Sequence, residues 1–186
     1  MGGTFDPIHL GHLRAAESAR EALRLDEVAF VPAGVPPHRP GPRSSGLDRY
    51  AMVSLATAGH RAFVASDAEL RREGASYTVD TVSELLEARP GIALVLIVGS
   101  DAFGEMASWK DPERLFSLCG VAVVTRPGEA TPPRALPGAP RVERIDGPGL
   151  AVSATAVRQR VSEGRSVRYL VPDAVADYIA KRGLYR

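Results

Sequence analysis

The sequence predicts an α/β fold: a doubly wound, mainly parallel sheet with helices on both faces and a small helical C-terminal part. Three observations predict it. Short β-rich runs alternate with helical patterns, the arrangement of parallel crossover units. The run ALVLIVG (93–99) is apolar at every position from 94 to 98, as in a central strand covered on both faces. Two helical patterns in succession, 154–163 and 173–182, close the chain.

The elements follow in order. Residues 10–24 place Leu10, Leu13, Ala16, Ala19 and Leu23 on one stripe, with Arg14, Glu17, Ser18, Glu21 and Arg24 elsewhere, which predicts an amphipathic helix. EVAFVPA (27–33), FVASDAE (63–69), ALVLIVG (93–99), GVAVVTR (120–126) and VERID (142–146) read as strands. Helices are predicted at 47–58, 78–89 and 111–118 as well. Two segments rich in Pro and Gly, 32–46 and 126–140, are long for connections in a compact domain, a length expected of functional or mobile segments. The first holds His38, Arg39 and Arg43. No repeat or linker divides the chain, so residues 1–186 are expected to form one domain, with 154–186 as its helical C-terminal part.

Composition excludes more than it assigns. The chain carries 23 Lys and Arg against 22 Asp and Glu, a net charge of +1, so nothing global points to nucleic acid or membrane. The cations are almost all arginine; only Lys110 and Lys181 are lysines. One cysteine, Cys119 in LFSLCGVAVV, allows no disulfide within the chain and reads as a buried, inert thiol. IALVLIV (92–98) is far too short to cross a bilayer, and no secretory signal is visible, so a cytoplasmic protein is expected. The sequence leaves room for a homo-oligomer.

The chemistry concentrates in MGGTFDPIHLGHLRAAE. Gly2 and Gly3 permit close backbone approach, and Asp6-Pro7 favours a turn. A helix beginning near Leu10 directs free N–H groups and a positive dipole end back at the loop, a combination that attracts phosphate. His9 and His12, three apart, share one side of the first turn and can donate to phosphate oxygens. Read as metal ligands they lack a third partner nearby, and no metal site is expected.

GGTFDPIHLGH resembles the signature of the HxGH nucleotidyltransferases, and within them it is most similar to the bacterial nicotinate mononucleotide adenylyltransferases. The resemblance runs through the chain in order. PAGVPPHR (32–39) looks like the Pro-Pro-His-Lys segment, with Arg39 where Lys is usual, and LDRYAMVSLA (47–56) like the helix after it. SYTVDTVSEL (76–85), VGSDAF (98–103) and SWKDPERL (108–115) follow. AVSATAVRQRV (151–161) stands at the second signature, and VRYLVPDAVADYIAKRGLY (167–185) matches the usual tail.

The resemblance implies a Rossmann-like fold and transfer of the adenylyl group of ATP to nicotinate mononucleotide, giving deamido-NAD and pyrophosphate in NAD biosynthesis. It implies His12, His9 and Arg158 as catalytic residues. Gly3, Thr4, His9, His12, Asp101, Ser153, Thr155 and Arg158 would bind ATP, and Thr78, Trp109, Arg39 and Arg49 the acceptor. Mg²⁺ is expected, carried mainly by the triphosphate. His38 and His60 are expected to be structural.

Two departures stand out. The second signature reads Ser153-Ala154-Thr155, where a second Ser is usual. One neutral hydrogen bond fewer, on the order of 1 kcal/mol, predicts a modest effect on ATP affinity. The apolar strand that precedes GGTFDP in relatives is missing. Losing several buried apolar side chains at roughly 1.5–3 kcal/mol each would free the loop's anchor and leave neighbouring strands unpaired. The natural product is therefore expected to start upstream of Met1, or Met1 to stand for another residue. Transfer to nicotinamide mononucleotide or phosphopantetheine, or nucleotide binding without catalysis, stays open from the sequence.

Overall fold

A computed structural model describes residues 1–34, 42–125, 142–147 and 149–186. His38, Arg39 and all of 126–140 lie outside the described residues. The elements run β1 (Gly2–Gly3), α1 (Leu10–Leu23), β2 (Val28–Pro32), α2 (Gly46–Thr57), β3 (Phe63–Ala65), α3 (Ala68–Arg71), α4 (Thr78–Ala88), β4 (Val95–Gly99), α5 (Ser100–Glu105), a 3₁₀ turn (Met106–Ser108), α6 (Pro112–Leu118), β5 (Gly120–Thr125), β6 (Val142–Asp146), α7 (Ala154–Ser162) and α8 (Asp173–Arg182). None of the described helices is long and apolar enough to cross a membrane.

Every ladder is parallel. β2 pairs with β1 and β3, and β5 with β4 and β6. The two three-stranded halves meet where β1 touches β4, giving the spatial order β3-β2-β1-β4-β5-β6. The direction of winding reverses between β1 and β4, the switch point beside which sheets of this kind bind ligands.

Alternating side chains of the central strands feed two cores. Ile97, Ala122 and Val124 join a cluster with Ala16 and Ala19 of α1, Met52 and Val53 of α2, Val157 of α7 and Val175 and Ile179 of α8. Leu96, Val98, Val121 and Val123 face the other way, onto Val79 and Val82 of α4, Phe103 of α5 and Leu115 and Phe116 of α6. The uninterrupted apolar run at 94–98 thus has the cause the sequence suggested: each face meets its own layer of helices. The C-terminal helices pack into the first core rather than standing apart from it.

Three details differ from expectation. The strand read at 63–69 ends at Ala65; Ser66 Oγ accepts the Ala68 N–H, Asp67 pairs with Arg71, and the chain turns into α3. Residues Ser100–Glu105, read only as part of a signature, form α5. Ser18 is buried with Ala16 and Ala19, because α1 lies across β5 and β6 and covers a wider strip than its apolar stripe.

The residues that open the loop are paired with β2. Gly2 and Gly3 register with Val31 and Pro32. Val31 N–H donates to Met1 O at 3.0 Å and Ala33 N–H to Gly3 O at 2.8 Å. The Met1 amino group donates to Ala29 O at 2.8 Å. Main-chain bonds on these first residues tie the start of the loop to the end of β2.

Candidate active site

The loop from Gly3 to His9 leaves the carboxyl end of β1 and enters α1 directly. Phe5 takes a left-handed backbone, φ 49°, a conformation that costs a residue with a Cβ about 1–2 kcal/mol. Its side chain is held on both sides: its ring lies 5.9 Å from Phe30 and meets the His12 ring edge-on at 5.1 Å. The core on one side and an imidazole on the other stabilise the strained turn.

His9 is the N-cap of α1 and His12 stands one turn on. Their rings stack 3.6 Å apart at 19°. The amides of the first turn are nearly all committed. His9 N–H donates to His12 Nδ1 at 3.3 Å, Leu10 N–H to Leu170 O at 2.9 Å and His12 N–H to His9 O at 3.0 Å. The Gly11 N–H has no protein acceptor among the described residues and is left at the helix's positive end. Because His12 Nδ1 accepts, the proton of its neutral ring sits on Nε2, which makes that atom a donor. Gly11 lets these groups crowd together: a Cβ there would lie 3.0 Å from His9 Nδ1 and 3.6 Å from Val152 O.

Val152 brings the second signature to the first. Ser153 caps α7, its Oγ accepting Ala156 N–H at 3.2 Å, so its hydroxyl serves the helix start. From the next turn Arg158 reaches back, Nη1 donating to Asp6 O at 2.7 Å and Nη2 to Thr155 Oγ1 at 3.2 Å. Its Nε is buried and makes no hydrogen bond among the described residues. The fold therefore gathers Gly3, Thr4, His9, His12, Ser153, Thr155 and Arg158 around one loop. One guanidinium, two imidazoles and the Gly11 N–H make a donor set suited to a polyanion.

The predicted acceptor residues divide. Thr78 opens α4, and Trp109 follows the 3₁₀ turn. Lys110 joins them, its Nζ 2.9 Å from Asp80 Oδ2 and 4.6 Å above the Tyr77 ring. Tyr77 and Trp109 are both half-buried against the second core. Asp101 is exposed in the first turn of α5, beyond the end of β4. Arg49, expected at acceptor phosphate, is instead 2% exposed and lies beneath the loop, its Nη1 donating to Thr4 O at 2.8 Å. Burial draws its pKa down, opposed by the charge of Asp6. Arg39 falls outside the described residues.

Sequence reasoning missed a second tier. Asp6 passed as a turn residue and Tyr185 as part of a tail, yet the two are hydrogen-bonded in the interior at 2.7 Å. No spacing rule connects positions so far apart. The Asp-Pro turn gave the only local signal, and it pointed to conformation rather than to a buried carboxylate.

Comparison with known proteins agrees with this geometry. The cytidylyltransferase-like family model matches residues 1–160. A probable nicotinate-nucleotide adenylyltransferase of Moorella thermoacetica is 46% identical over 100% of this chain and 90% of its own length. Its counterpart in Streptomyces coelicolor is also 46% identical, over 100% and 99%. Among solved structures, the Plasmodium falciparum nicotinic acid mononucleotide adenylyltransferase complexed with NaAD has a TM-score of 0.83, covering 99% of this chain and 94% of that one. At 19% identity that likeness speaks to the fold.

Proposed function

The chain belongs to the cytidylyltransferase-like family and, within it, to the nicotinate-nucleotide adenylyltransferases, and on that footing we propose that it transfers the adenylyl group of ATP to nicotinate mononucleotide. The products are deamido-NAD and pyrophosphate. One observation carries the reading: the two stacked imidazoles at the start of α1 and the Arg158 fork converge on the Asp6–His9 turn at the sheet's switch point.

A phosphate oxygen of the mononucleotide attacks the α-phosphorus of ATP, and the bond to the pyrophosphate oxygen breaks. The nucleophile is already ionised at neutral pH, so the protein has little proton transfer to perform. Its task is to hold two polyanions in line and to stabilise the charge that builds on the transferring phosphoryl group. In this reading His12 Nε2, the His9 ring and the Gly11 N–H face the ATP phosphates, and Arg158 takes the β- and γ-phosphate oxygens. Gly3 and Thr4 line the path of the transferred phosphate, and Asp101 the adenylate ribose. Ser153 and Thr155 hold the α7 start and the Arg158 fork toward the triphosphate. Arg49 serves from below through Thr4.

On the acceptor side Trp109 stacks on the pyridine ring and Thr78, at a helix start, receives its carboxylate. Arg39 is assigned to the acceptor phosphate on sequence grounds. Mg²⁺ is assigned to the reaction as the magnesium salt of ATP, since this cation readily keeps water and phosphate ligands. The chain is read as one unit, a view supported by α7 and α8 sharing a core with α1 and α2, and its assigned work on small-molecule substrates is placed in the cytoplasm on sequence grounds.

The test is pyrophosphate release by the purified chain with ATP and Mg²⁺, run with nicotinate mononucleotide and in parallel with nicotinamide mononucleotide. Release with a strong preference for the acid is the expected result. Preference for the amide would move the assignment to the sister reaction, and no release with either would refute catalysis.

A further inference from the structure

Beneath the loop lies a buried polar cluster whose hydrogen bonds, among the described residues, reach the groups assigned to substrate through Asp6. The Asp6 carboxylate is 4% exposed and accepts four hydrogen bonds. Arg43 N–H reaches Oδ2 at 2.7 Å; Ser44 N–H reaches Oδ1 at 3.3 Å, and Ser44 Oγ donates to the same oxygen. The fourth comes from Tyr185 O–H, at 2.7 Å. Tyr185 Oη also lies 3.2 Å from Ser44 Oγ. The ring is delivered by a left-handed cap: Gly183, φ 63°, ends α8 and turns the chain so that Tyr185 enters the first core, 8% exposed. Burial, reinforced by the Asp6 carboxylate, pushes the phenol's pKa above its ordinary value, so the hydroxyl keeps its proton and donates.

We infer that Tyr185 and Asp6 are positioning residues for ATP. On its main-chain side Asp6 is the acceptor of Arg158 Nη1. On its side-chain side it is fixed by Tyr185 and Ser44. The peptide that orients the Arg158 fork is thus held by the tail of the chain, and the loop that carries His9 and His12 begins from that same residue. A buried carboxylate with both oxygens hydrogen-bonded is rigid in a way that a solvated turn is not. Removing the Tyr185 hydroxyl would let Asp6 rotate and loosen the Arg158 fork, with the acceptor corner at Thr78 and Trp109 unaffected.

This inference rests on the proposed adenylyl transfer, and its test separates the two. Tyr185→Phe keeps the ring in the core and removes one hydroxyl. Binding of the non-transferable analogue α,β-methylene-ATP is measured by calorimetry on wild type and variant, alongside steady-state kinetics and thermal melting. The expected result is a rise of roughly threefold to tenfold in the analogue's Kd and in KM for ATP, the weight of one hydrogen bond. KM for the acceptor should be unchanged. In an Asp6→Ala background the same substitution should add nothing, because the hydroxyl acts through that carboxylate; if Asp6→Ala does not fold, the single variant decides. A lower melting temperature with unchanged Kd and KM would overturn the inference. If wild type binds the analogue but makes no dinucleotide, the proposed activity fails while the two affinities still decide the positioning role; if it does not bind, both fail.

Discussion

Gly11→Ala adds one methyl group at a crowded point of the site. Its Cβ would stand 3.0 Å from His9 Nδ1 and 3.1 Å from Cε1, with Val152 O at 3.6 Å. The carbonyl is at ordinary contact, so the imidazole must yield by a few tenths of an ångström. Its neighbour is the His12 ring, stacked at 3.6 Å, so His12 shifts with it. Two stability terms oppose each other: Ala is favoured over Gly in a helix by about 0.8–1 kcal/mol, and overpacking costs about 1–3 kcal/mol. The net is a loss of about 0–2 kcal/mol, a drop of no more than about 8 °C in Tm for a chain of this size. Activity should fall further than stability. A misplacement of 1 Å costs on the order of 100-fold in rate, so a few tenths should cost about threefold to tenfold. Gly59, where a Cβ meets nothing within 4 Å, supplies the control: Gly59→Ala should leave both quantities unchanged. Pyrophosphate release and thermal melting on the three proteins decide the matter. Wild-type kcat and ATP KM in Gly11→Ala would refute the view that the two imidazoles work as a positioned pair.

Other expectations follow from the same structure. Trp109→Ala should raise KM for the acceptor by about tenfold, the scale of an aromatic stacking contact, and leave the ATP-analogue Kd unchanged; a matched change in both would place Trp109 elsewhere. Hydrogen bonds from Ser45 first, then Tyr178 and Arg182, hold the Asp48 carboxyl below its usual pKa. Its stabilising contribution is therefore complete above about pH 4 and drains as pH falls from there through the lowered folded-state value. Asp48→Asn should lower Tm at pH 7 and much less at pH 3, and an equal gap at both would contradict this. Burial raises the Cys119 thiol to about 11; a disulfide reagent at pH 8 should label it only after denaturant is added, and rapid labelling of the native chain would show the site to be open.

The strands and main helices were legible in the sequence because each has its own local cause. VERID occupies Val142–Asp146 as read, and the 173–182 pattern is α8 residue for residue. The boundary at Ala65 was not legible, because Ser66 and Asp67 turn the backbone through side-chain oxygens that a hydropathy pattern does not register. The histidines and Arg158 were named from signatures, and the structure brings them to one loop. Arg49, named for acceptor phosphate by the resemblance, is buried and bonded to Thr4 O, a placement that residue type alone does not foretell. Asp6 and Tyr185 were invisible for another reason, since their pairing depends on α8 docking against α2 and on the turn at Gly183.

That pairing sets an order in time. Asp6 and Tyr185 stand 179 positions apart. Each doubling of a loop adds about 0.6 kcal/mol of closure entropy, so this contact costs ~2–3 kcal/mol more to close than one between residues ten apart. During synthesis the phosphate loop is made before Tyr185, its distant hydrogen-bond donor. Both cores can begin to assemble around the strands before the Asp6–Tyr185 bond closes beneath the loop. A protease that nicks the chain just after α8 would spare the sheet and both helical layers while returning the loop to its unfinished state.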